Sequence, residues 1–349
     1  MSTRLEREWE RQRRALLRAE RDIERQITLA HKRMHKRVAD DLVRLQDAIR
    51  KAERSGVPVK DSWLRRQERF QSLLDDIERE TWAYGREVSE MIAEGQRGSV
   101  SAVSSHQWNL VEATLLPAPQ QAIATIESQF ARFDARAVAK YVGWASDGSP
   151  LADLLTEISR TTRMKASDTL LSGITRGQNP RQVAYALQKV TDVPLSRALT
   201  ISRTEVLRSY RLATTESLVE NQELVNGWTW KASLDDRTCS ACWFMDGTDH
   251  AASDLMDAHI NCRCTQLPLV KPWKDLGFDI PDRRPLRIPG AQQFENLPDA
   301  TKRKILGPGK YDAYKSGDVT LKDLAQHDHD PRWGGQWRER SLKEARAAA

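Results

Sequence analysis

The chain has 349 residues, of which 39% are hydrophobic and 30% are charged, and its formal net charge is +6. This length allows two or three domains with at least one sizeable core. No apolar stretch approaches the roughly 20 residues that a membrane-spanning helix needs. The N-terminus, MSTRLEREWERQRR, lacks the apolar block of a secretory signal. We therefore expect a soluble protein made in a cytoplasm.

The positive charge is concentrated near the N-terminus. Residues 1–60 hold 17 Lys and Arg against 10 Asp and Glu, so the rest of the chain sums to −1. A polyanion partner is one interpretation, and the solvated face of a long helix is the other. The residues assigned here to DNA or partner binding are Arg11, Arg14, Arg18, Arg25, Lys32 and Lys36.

Residues 1–95 predict a long helical arm or hairpin. Apolar residues between Leu5 and Ile49 recur at steps of three, four and seven, with charged residues between them. A helix of about 50 residues would be roughly 75 Å long, so we expect it to pack against another chain or a second helix. Asp61 and Ser62 offer an N-cap for that second helix. The two helices would form an antiparallel hairpin.

Beyond residue 95 the composition divides the chain into three segments. They are 96–149, 150–270 and 271–349. The first is predicted to be a linker and a helix, because GQRGSVSAVSS at 95–105 is typical of a flexible loop and a helical pattern follows at about 118–142.

The middle segment, 150–270, is predicted to change from helix to strand. A helix at about 150–172 is followed by a turn around Gly173–Asn179, and Pro180 is well placed to open the next helix. A longer helix is predicted after DVPLS. GWTWKASL at 227–234 alternates as a strand does, and CRCTQLPLV at 262–270 is the second strand candidate.

The last segment is predicted to carry little regular structure. Four prolines fall in VKPWKDLGFDIPDRRPLRIPG, which indicates an extended connector. Two small helices joined at an LGPG turn follow, and the tail from Pro331 onward is predicted to be only partly ordered. The fold class expected for the whole chain is mainly α (α+β), with a small β-hairpin and zinc-knuckle core.

All four cysteines fall within one 26-residue window. CxxC is followed, after 19 intervening residues, by CxC, and a histidine lies three residues before that second pair. Cysteines two apart in a strand face the same side, and a CxxC turn can close on one ion. Zinc takes four ligands, so five candidates compete. They are Cys239, Cys242, His259, Cys262 and Cys264.

A site closed by four cysteines, or by three and a histidine, is structural, because catalytic zinc keeps one position open for water. We therefore expect a structural zinc that fastens a loop, and no catalysis. Buried free thiols that pack as small hydrophobes are the alternative. A thioredoxin-like redox role is disfavoured, since no βαβ pattern surrounds the CxxC.

Three motifs occur in order along the chain: ISRTEVLRS at 201–209, GWTWKASLDDRTCSACWFMDG at 227–247, and HINCRCTQLPLV at 259–270. Together they resemble the phage Mu F-like minor head proteins, the head morphogenesis family of tailed phages, over about 160–330. Many relatives place prolines around the histidine where this chain has DLMDAHIN, which leaves the loop path into that histidine open. Besides the five metal candidates, the matching residues are Arg203, Thr204, Glu205, Asp235, Arg237, Thr238, Asp246, Gly247 and Arg263.

The resemblance implies a virion component present in few copies near the portal vertex, needed for head assembly or for DNA packaging and delivery. The portal protein is its expected partner, with the major capsid protein and duplex DNA as further candidates in an oligomeric assembly. The protein would reside in the virion, and in the host cytoplasm during assembly. Its basic arm would dock to a protein ring or lie along DNA phosphates.

Two other classes of function stay open at this point. One is a zinc-stabilised DNA-binding protein outside any virion. The other is an enzyme, either a nuclease or an ADP-ribosyltransferase-like protein that uses Arg203 and Glu205; HDHDP at 327–331 and the pair Asp235 and Asp236 are further candidates for chemistry. Neither a phosphate-binding glycine loop nor a serine nucleophile elbow is found in the sequence.

Overall fold

The structure is a computed structural model, and it describes residues 3–57, 68–132, 140–145, 147–176, 178, 180–282, 284, 287–331 and 333–349. The described part is mainly helical and contains two small antiparallel sheets, which confirms the predicted fold class. Within these ranges, no helix combines the length and apolarity needed to cross a bilayer.

Helices fill the first two thirds of the chain, and strands appear after residue 224. The long and medium helices are α1 (Arg4–Arg54), α2 (Glu68–Ser101), α3 (Val103–Leu115), α4 (Gln120–Gln129), α5 (Leu151–Thr175) and α6 (Pro180–Glu220). They are followed by β1 (Val225–Lys231), α7 (Ser240–Met245), β2 (Asp249–His250), β3 (Thr265–Val270), α8 (Gly290–Glu295), α9 (Asp299–Leu306), α10 (Pro308–Ser316), β4 (Ala325–Asp330), β5 (Gly334–Glu339) and α11 (Leu342–Ala348).

The chain forms two compact units whose segments interleave. The first unit contains Met1–Leu17, Gln96–Val142 and Leu207–Ala349, and the second contains Arg18–Gly95 and Gly143–Val206. Helices α1, α2 and α6 therefore each supply residues to both units. The division of the sequence into four successive segments stays a prediction.

Four helices build the core of the second unit. Its buried residues come from α1, α2, α5 and α6, and include Val38, Leu45, Phe70, Ile77, Leu170 and Leu187. On the surface, Arg33 binds Glu87 at 2.5 Å and Arg37 binds Glu80 at 2.6 Å. These pairs run in opposite senses along α1 and α2, so the predicted antiparallel hairpin is confirmed. Its expected N-cap at Asp61 and Ser62 lies outside the described residues.

The apolar seam of α1 packs against other helices of the same chain. Ile27, Met34 and Val38 are each at most 3% exposed. From Val38 onward, the residues that cover the seam belong to α2, α5 and α6. An apolar stripe on a surface helix is stabilised by such burial, and not by helix propensity alone. A second chain is therefore not needed to cover the buried part of the seam.

The expected loop at 95–105 is wrong. Helix α2 continues to Ser101 and α3 begins at Val103. Val100 and Val103 are fully buried against Tyr210 and Ala213 of α6. Burial of these valines outweighs the weak helix propensity of the glycines and serines around them.

Two further helix predictions need correction. The helix predicted at about 118–142 is shorter, because α4 ends at Gln129; residues 133–139 lie outside the described part. The break predicted at DVPLS is also absent, since α6 continues through Pro194. An internal proline costs one helical hydrogen bond, and here the surrounding helix persists despite that cost. The start of α6 at Pro180 is as predicted.

A three-stranded sheet with the order β2-β1-β3 lies at the centre of the first unit, and β1 runs antiparallel to both neighbours. Trp228 and Trp230 of β1 are fully buried in its core. On another side, Trp9 of α1 and Leu110 of α3 pack with Leu267 of β3, and the Trp9 indole N–H donates to Thr265 Oγ1 at 2.9 Å.

The strand predictions are partly right. The strand at 227–234 is confirmed as β1, but β3 starts at Thr265 and so excludes the cysteines at 262 and 264. The two-residue strand β2 is too short for an alternation pattern and was not predicted. The two small helices joined at the LGPG turn are confirmed as α9 and α10.

The prediction of a partly ordered tail from Pro331 is wrong. Strands β4 and β5 pair antiparallel along their whole length, from Ala325 opposite Glu339 to Asp330 opposite Gly334. Helix α11 follows, with a capping box between Ser341 and Glu344. From Trp333 onward, the Arg, Trp and Gly residues of this tail therefore belong to a folded hairpin and helix.

Candidate metal centre

The first half of the site is a short helix preceded by a tight turn. The carboxylate of Asp235 accepts hydrogen bonds from the Arg237 backbone N–H and the Thr238 hydroxyl, both at 3.1 Å. This closes the chain into an aspartate turn, and α7 begins directly afterwards with Cys239 as its N-cap residue. Cys239 and Cys242 are three positions apart, so they lie on the same side of the first helical turn.

The second half is an extended segment that enters β3. Asn261 has a left-handed φ of 63°, and the Cys262 N–H donates to the His259 carbonyl at 3.0 Å. This turn brings Cys262 and Cys264 back towards α7. The two thiols therefore face the same site although they lie outside the strand in which they were predicted, because an extended backbone alternates its side chains with or without a strand partner.

The five candidate side chains converge on one place. The His259 Nε2 lies 3.3 Å from the Cys239 sulfur and 3.2 Å from the Cys242 sulfur. The Cys242 and Cys262 sulfurs are 3.7 Å apart. Ligand atoms fall into two overlapping groups that share Cys242, and within each group all are within 4.8 Å of one another: Cys239, Cys242 and His259; and Cys242, Cys262 and Cys264.

These spacings fit a tetrahedral zinc. With zinc–sulfur bonds of about 2.3 Å and zinc–nitrogen bonds of about 2.0 Å, the edges of the tetrahedron are roughly 3.8 Å between sulfurs and roughly 3.5 Å between sulfur and nitrogen. The donor set of thiols and one imidazole is also the set that zinc prefers. The residues present therefore fit a zinc ion, with one candidate more than the metal needs.

The ring of His259 is oriented for metal binding. Its Nδ1 donates to the Ile260 carbonyl at 2.7 Å. This hydrogen bond places a proton on Nδ1, so a metal would take the place of the proton on Nε2, the atom that faces the thiols. A carbonyl partner of this kind fixes the tautomer and orientation of metal-bound histidines in general.

The charges in the site favour a cation. The hydrogen bond with Cys242, together with the nearby His259, lowers the pKa of Cys239 to about 5 against the effect of burial. Hydrogen bonds with Cys242 and Cys264 likewise lower the pKa of Cys262. Burial opposes the charge on His259, but the Cys262 and Cys239 thiolates outweigh it and raise the pKa of His259 to about 11. Hydrogen bonds with Cys239 and Cys262 raise the pKa of Cys242. Against the hydrogen bond with Cys242, the hydrogen bond with Cys262 and burial raise the pKa of Cys264. Cys239 and Cys262 are therefore the two thiolates that favour a cation, because the thiolate is the metal-binding form of cysteine.

Arg211 of α6 holds the returning segment. It is 4% exposed, and its guanidinium donates to the Cys262 carbonyl at 2.7 Å and to the Cys264 carbonyl at 3.0 Å. The sequence analysis missed this residue. Nothing in the spacing of the chain relates position 211 to the cysteines some 50 residues later, and only the fold brings them together.

The Arg-Thr-Glu motif lies elsewhere in α6 and has another role. Arg203 binds the carboxylates of Glu20 and Glu24 in α1, and Thr204 and Glu205 are buried. Arg203 therefore binds α1, and it is Arg211 that contacts the cysteine segment.

Asp246 and Gly247 form the turn after α7. The buried Asp246 carboxylate accepts from the Ala232 N–H at 2.8 Å and from the Arg287 guanidinium at 3.2 Å. Gly247 adopts a φ of 93°, which favours glycine. This aspartate joins β1, α7 and the connector before α8, which is a structural role.

The remaining candidates for chemistry are placed as follows. Asp236 forms an ion pair with Lys304, while Asp235 accepts hydrogen bonds within its own turn, so the two adjacent aspartates have separate partners. HDHDP lies in and just after β4. Its His327 donates to Asp257 at 2.7 Å and its Asp328 accepts from Arg338 at 2.9 Å. In the part of the chain that the structure describes, these residues are not among the groups able to share a metal.

The basic residues assigned to DNA or partner binding are all exposed on α1. Three of them have acidic neighbours on the same helix: Arg11 lies 2.5 Å from Glu8, Arg14 3.9 Å from Glu10, and Arg25 3.0 Å from Asp22. These local pairs reduce the positive potential of the helix. Arg18, Lys32 and Lys36 complete the exposed set.

Fold and site together define a mainly helical protein with a small sheet and a closed cysteine–histidine cluster. Residues 165–267 match the family model described as Phage Mu protein F like protein. This match confirms the resemblance to the Mu F-like phage head proteins over that segment. No curated protein and no solved structure matches the chain significantly.

Proposed function

We propose that this protein is a minor head component that acts in head morphogenesis near the portal vertex, where it assists capsid assembly and DNA packaging or delivery. The observation that carries the proposal is the family match over 165–267, which includes the whole cysteine–histidine cluster and both elements that hold it. The resemblance to a phage head family supports a place in the virion, and the position at the portal is part of the proposal.

Zinc is proposed as the resident metal, with four ligands drawn from Cys239, Cys242, His259, Cys262 and Cys264. When bound, the ion would cross-link the first turn of α7 to the segment before β3. A site filled by thiolates and an imidazole leaves no position for a water nucleophile. We accordingly propose a structural role and no catalytic one.

Metal content tests the zinc proposal directly. Purified full-length protein should carry about one zinc per chain by elemental analysis, and the Cys242→Ser variant should lose it, since Cys242 belongs to both ligand groups. Ser253→Ala, an exposed change in the loop between the two halves, is the matched control. Wild-type protein without any bound metal would remove the proposal.

The exposed basic residues of α1 are proposed as a polar docking surface for a head protein or for duplex DNA. The apolar seam of this helix is buried inside the chain, so a contact made by the outer face rests on charge and weakens with salt. Replacing Arg18, Lys32 and Lys36 by glutamine should reduce salt-sensitive binding to the portal ring or to duplex DNA. An equal number of changes among exposed basic residues of α9 to α11 serves as the control.

The location is tested in the phage itself. Antibody labelling or mass spectrometry of purified heads should find the protein in few copies, and particles made without it should be defective in assembly or empty of DNA. Complementation by the wild-type gene, but not by the Cys242→Ser gene, should restore DNA-filled heads. Normal, filled heads in the absence of the protein would contradict the proposal.

A further inference from the structure

The C-terminal hairpin, β4 and β5, contacts the loop that carries His259. The Trp337 backbone N–H donates to the Asp257 carbonyl at 2.7 Å, and Trp337 also forms an isolated parallel bridge with Ala258. In addition, His327 of β4 donates to the Asp257 carboxylate at 2.7 Å. The hairpin therefore holds the two residues directly before the histidine in two ways, by the backbone pairing of Trp337 and by the side chain of His327.

The contact is close enough to depend on a glycine. A Cβ atom at Gly335 would lie 2.6 Å from one Asp257 carboxylate oxygen and 2.9 Å from its Cγ. Any side chain at position 335 would push the carboxylate away from His327. The hairpin and the loop thus fit each other closely.

The same hairpin also contacts the other half of the site. The Trp337 ring lies 6.2 Å from the ring of Phe244, which is in α7 two residues after Cys242. Trp337 therefore packs on the helix with the first two cysteines, while its backbone holds the loop with the histidine. Trp337 thus links α7 to the histidine loop, and the distance between these two segments determines the geometry of the site.

The loop has few other supports near its end. Between β2 and β3 the described backbone has no regular element apart from the bridge at Ala258, and Ser253, Asp254 and Leu255 are exposed. Inside the loop, the Trp228 indole holds the Asp254 carbonyl at 3.1 Å, three residues before the hairpin contacts begin. Met256 is buried in the core of the first unit. The position of His259 thus depends on Met256 and the hairpin on one side and on the turn at Asn261 on the other.

We infer that the C-terminal hairpin positions His259 as a metal ligand and thereby decides which four of the five candidates bind, favouring three cysteines and the histidine over four cysteines. The inference rests on the proposed zinc site. Asp257, His327, Gly335 and Trp337 are positioning residues, since they act through the histidine loop. Asp257 lies in the segment matched by the family model, whereas His327, Gly335 and Trp337 lie beyond its end at residue 267.

Cobalt(II) tests the inference, because its ligand-field bands move to longer wavelength when a thiolate replaces an imidazole. Full-length wild-type protein loaded with cobalt should show a three-sulfur, one-nitrogen spectrum. His327→Ala and Gly335→Ala should move the bands towards those of His259→Ala. They should also speed the loss of cobalt to a chelator by about 10-fold, as is typical of changes to the partners of metal ligands.

His329→Ala is the matched control, since His329 is a second exposed histidine on the same strand. Far-ultraviolet circular dichroism of each loaded variant checks that the helices are intact. Hairpin variants that match His329→Ala in both spectrum and chelator exchange would overturn the inference alone, as would a four-sulfur spectrum in the wild type. Wild-type protein that binds neither cobalt nor zinc would overturn the zinc proposal and the inference with it.

Discussion

Among single residues, Arg211 places a buried charge against the backbone of the candidate metal centre. The carbonyls of Cys262 and Cys264 lie on an extended segment that has no strand partner, so the guanidinium supplies the hydrogen bonds that a neighbouring strand would give. A buried arginine is stable only when its donors are used. Arg211 thus keeps both cysteines turned towards α7.

Arg211→Met should lower the free energy of unfolding by about 2–4 kcal/mol, because two buried carbonyls lose charged donors while the length of the side chain is kept. Denaturant unfolding monitored by tryptophan fluorescence measures the change. Arg208→Met, three residues earlier on α6 and only partly buried, is the matched control and should change stability by less than about 1 kcal/mol. Equal losses for the two variants would contradict the assignment.

His106 of α3 should make stability depend on pH. Burial lowers the pKa of His106 below its ordinary value, so the folded state binds its proton less readily than the unfolded state does. The stability is then fully present above the unfolded pKa of about 6.5 and is lost as the pH falls through the interval down to the folded pKa. His106→Gln should flatten this part of the stability curve, as measured by denaturant unfolding between pH 7 and pH 5. A variant curve parallel to that of the wild type would contradict this account.

For single residues, the sequence was enough to predict the candidate metal ligands but not the side chains that hold them in place. CxxC and CxC spacing restricts where thiols can point, so the five candidate ligands could be named, and the structure brings all five together. Which four bind stays a prediction. Arg211 and Trp337 could not be found in advance, because each reaches the site through tertiary packing and not through a local spacing.

Among the elements, α2 illustrates how two glycines in one helix differ in their surroundings. A Cβ at Gly85 would lie 2.8 Å from the Leu155 carbonyl oxygen of α5, whereas a Cβ at Gly98 would meet no atom within 4 Å. The first glycine allows two helices to approach closely. The second only weakens the helix.

Gly85→Ala should therefore lower the free energy of unfolding by about 1–3 kcal/mol, since the added methyl group pushes α5 away from α2. Gly98→Ala should raise it by about 0.5–1 kcal/mol through better helix propensity alone. Thermal unfolding of the two variants beside the wild type measures both effects. The prediction fails if the two substitutions act in the same direction.

The elements were predictable where a periodic pattern is long, as in α1 and α2, and where turn residues punctuate it, as at Pro180 and the LGPG turn. They were not predictable where burial decides. The segment 95–105 is rich in glycine and serine, yet two buried valines keep it helical. Just before the tail, β4 reads AQHDHD, a polar strand whose stability comes from pairing with β5 and not from an apolar face.

For the molecule as a whole, the zinc proposal predicts a local effect of metal removal. The five candidates all belong to the first unit, whereas the core of the second unit comes from α1, α2, α5 and α6. A strong chelator should therefore speed amide hydrogen exchange around residues 232–270. Residues 70–92 and 151–171 should exchange as before.

Hydrogen exchange followed by mass spectrometry, with and without chelator, measures this difference. The Cys242→Ser variant is the control, and the chelator should not change its exchange further. A uniform rise across both units would show that the metal supports the entire fold, and no rise anywhere would show that the site contributes nothing to stability.

The sheet of the first unit is covered by residues far from it in sequence, and this matters for anyone who works with a part of the gene. Trp9 and Leu110 rest on β3, while the recognisable signature spans only 165–267. A recombinant fragment trimmed to that signature would leave an apolar side of the sheet bare and should precipitate. In this protein, the boundaries of the sequence signature are not the boundaries of a fragment that can fold alone.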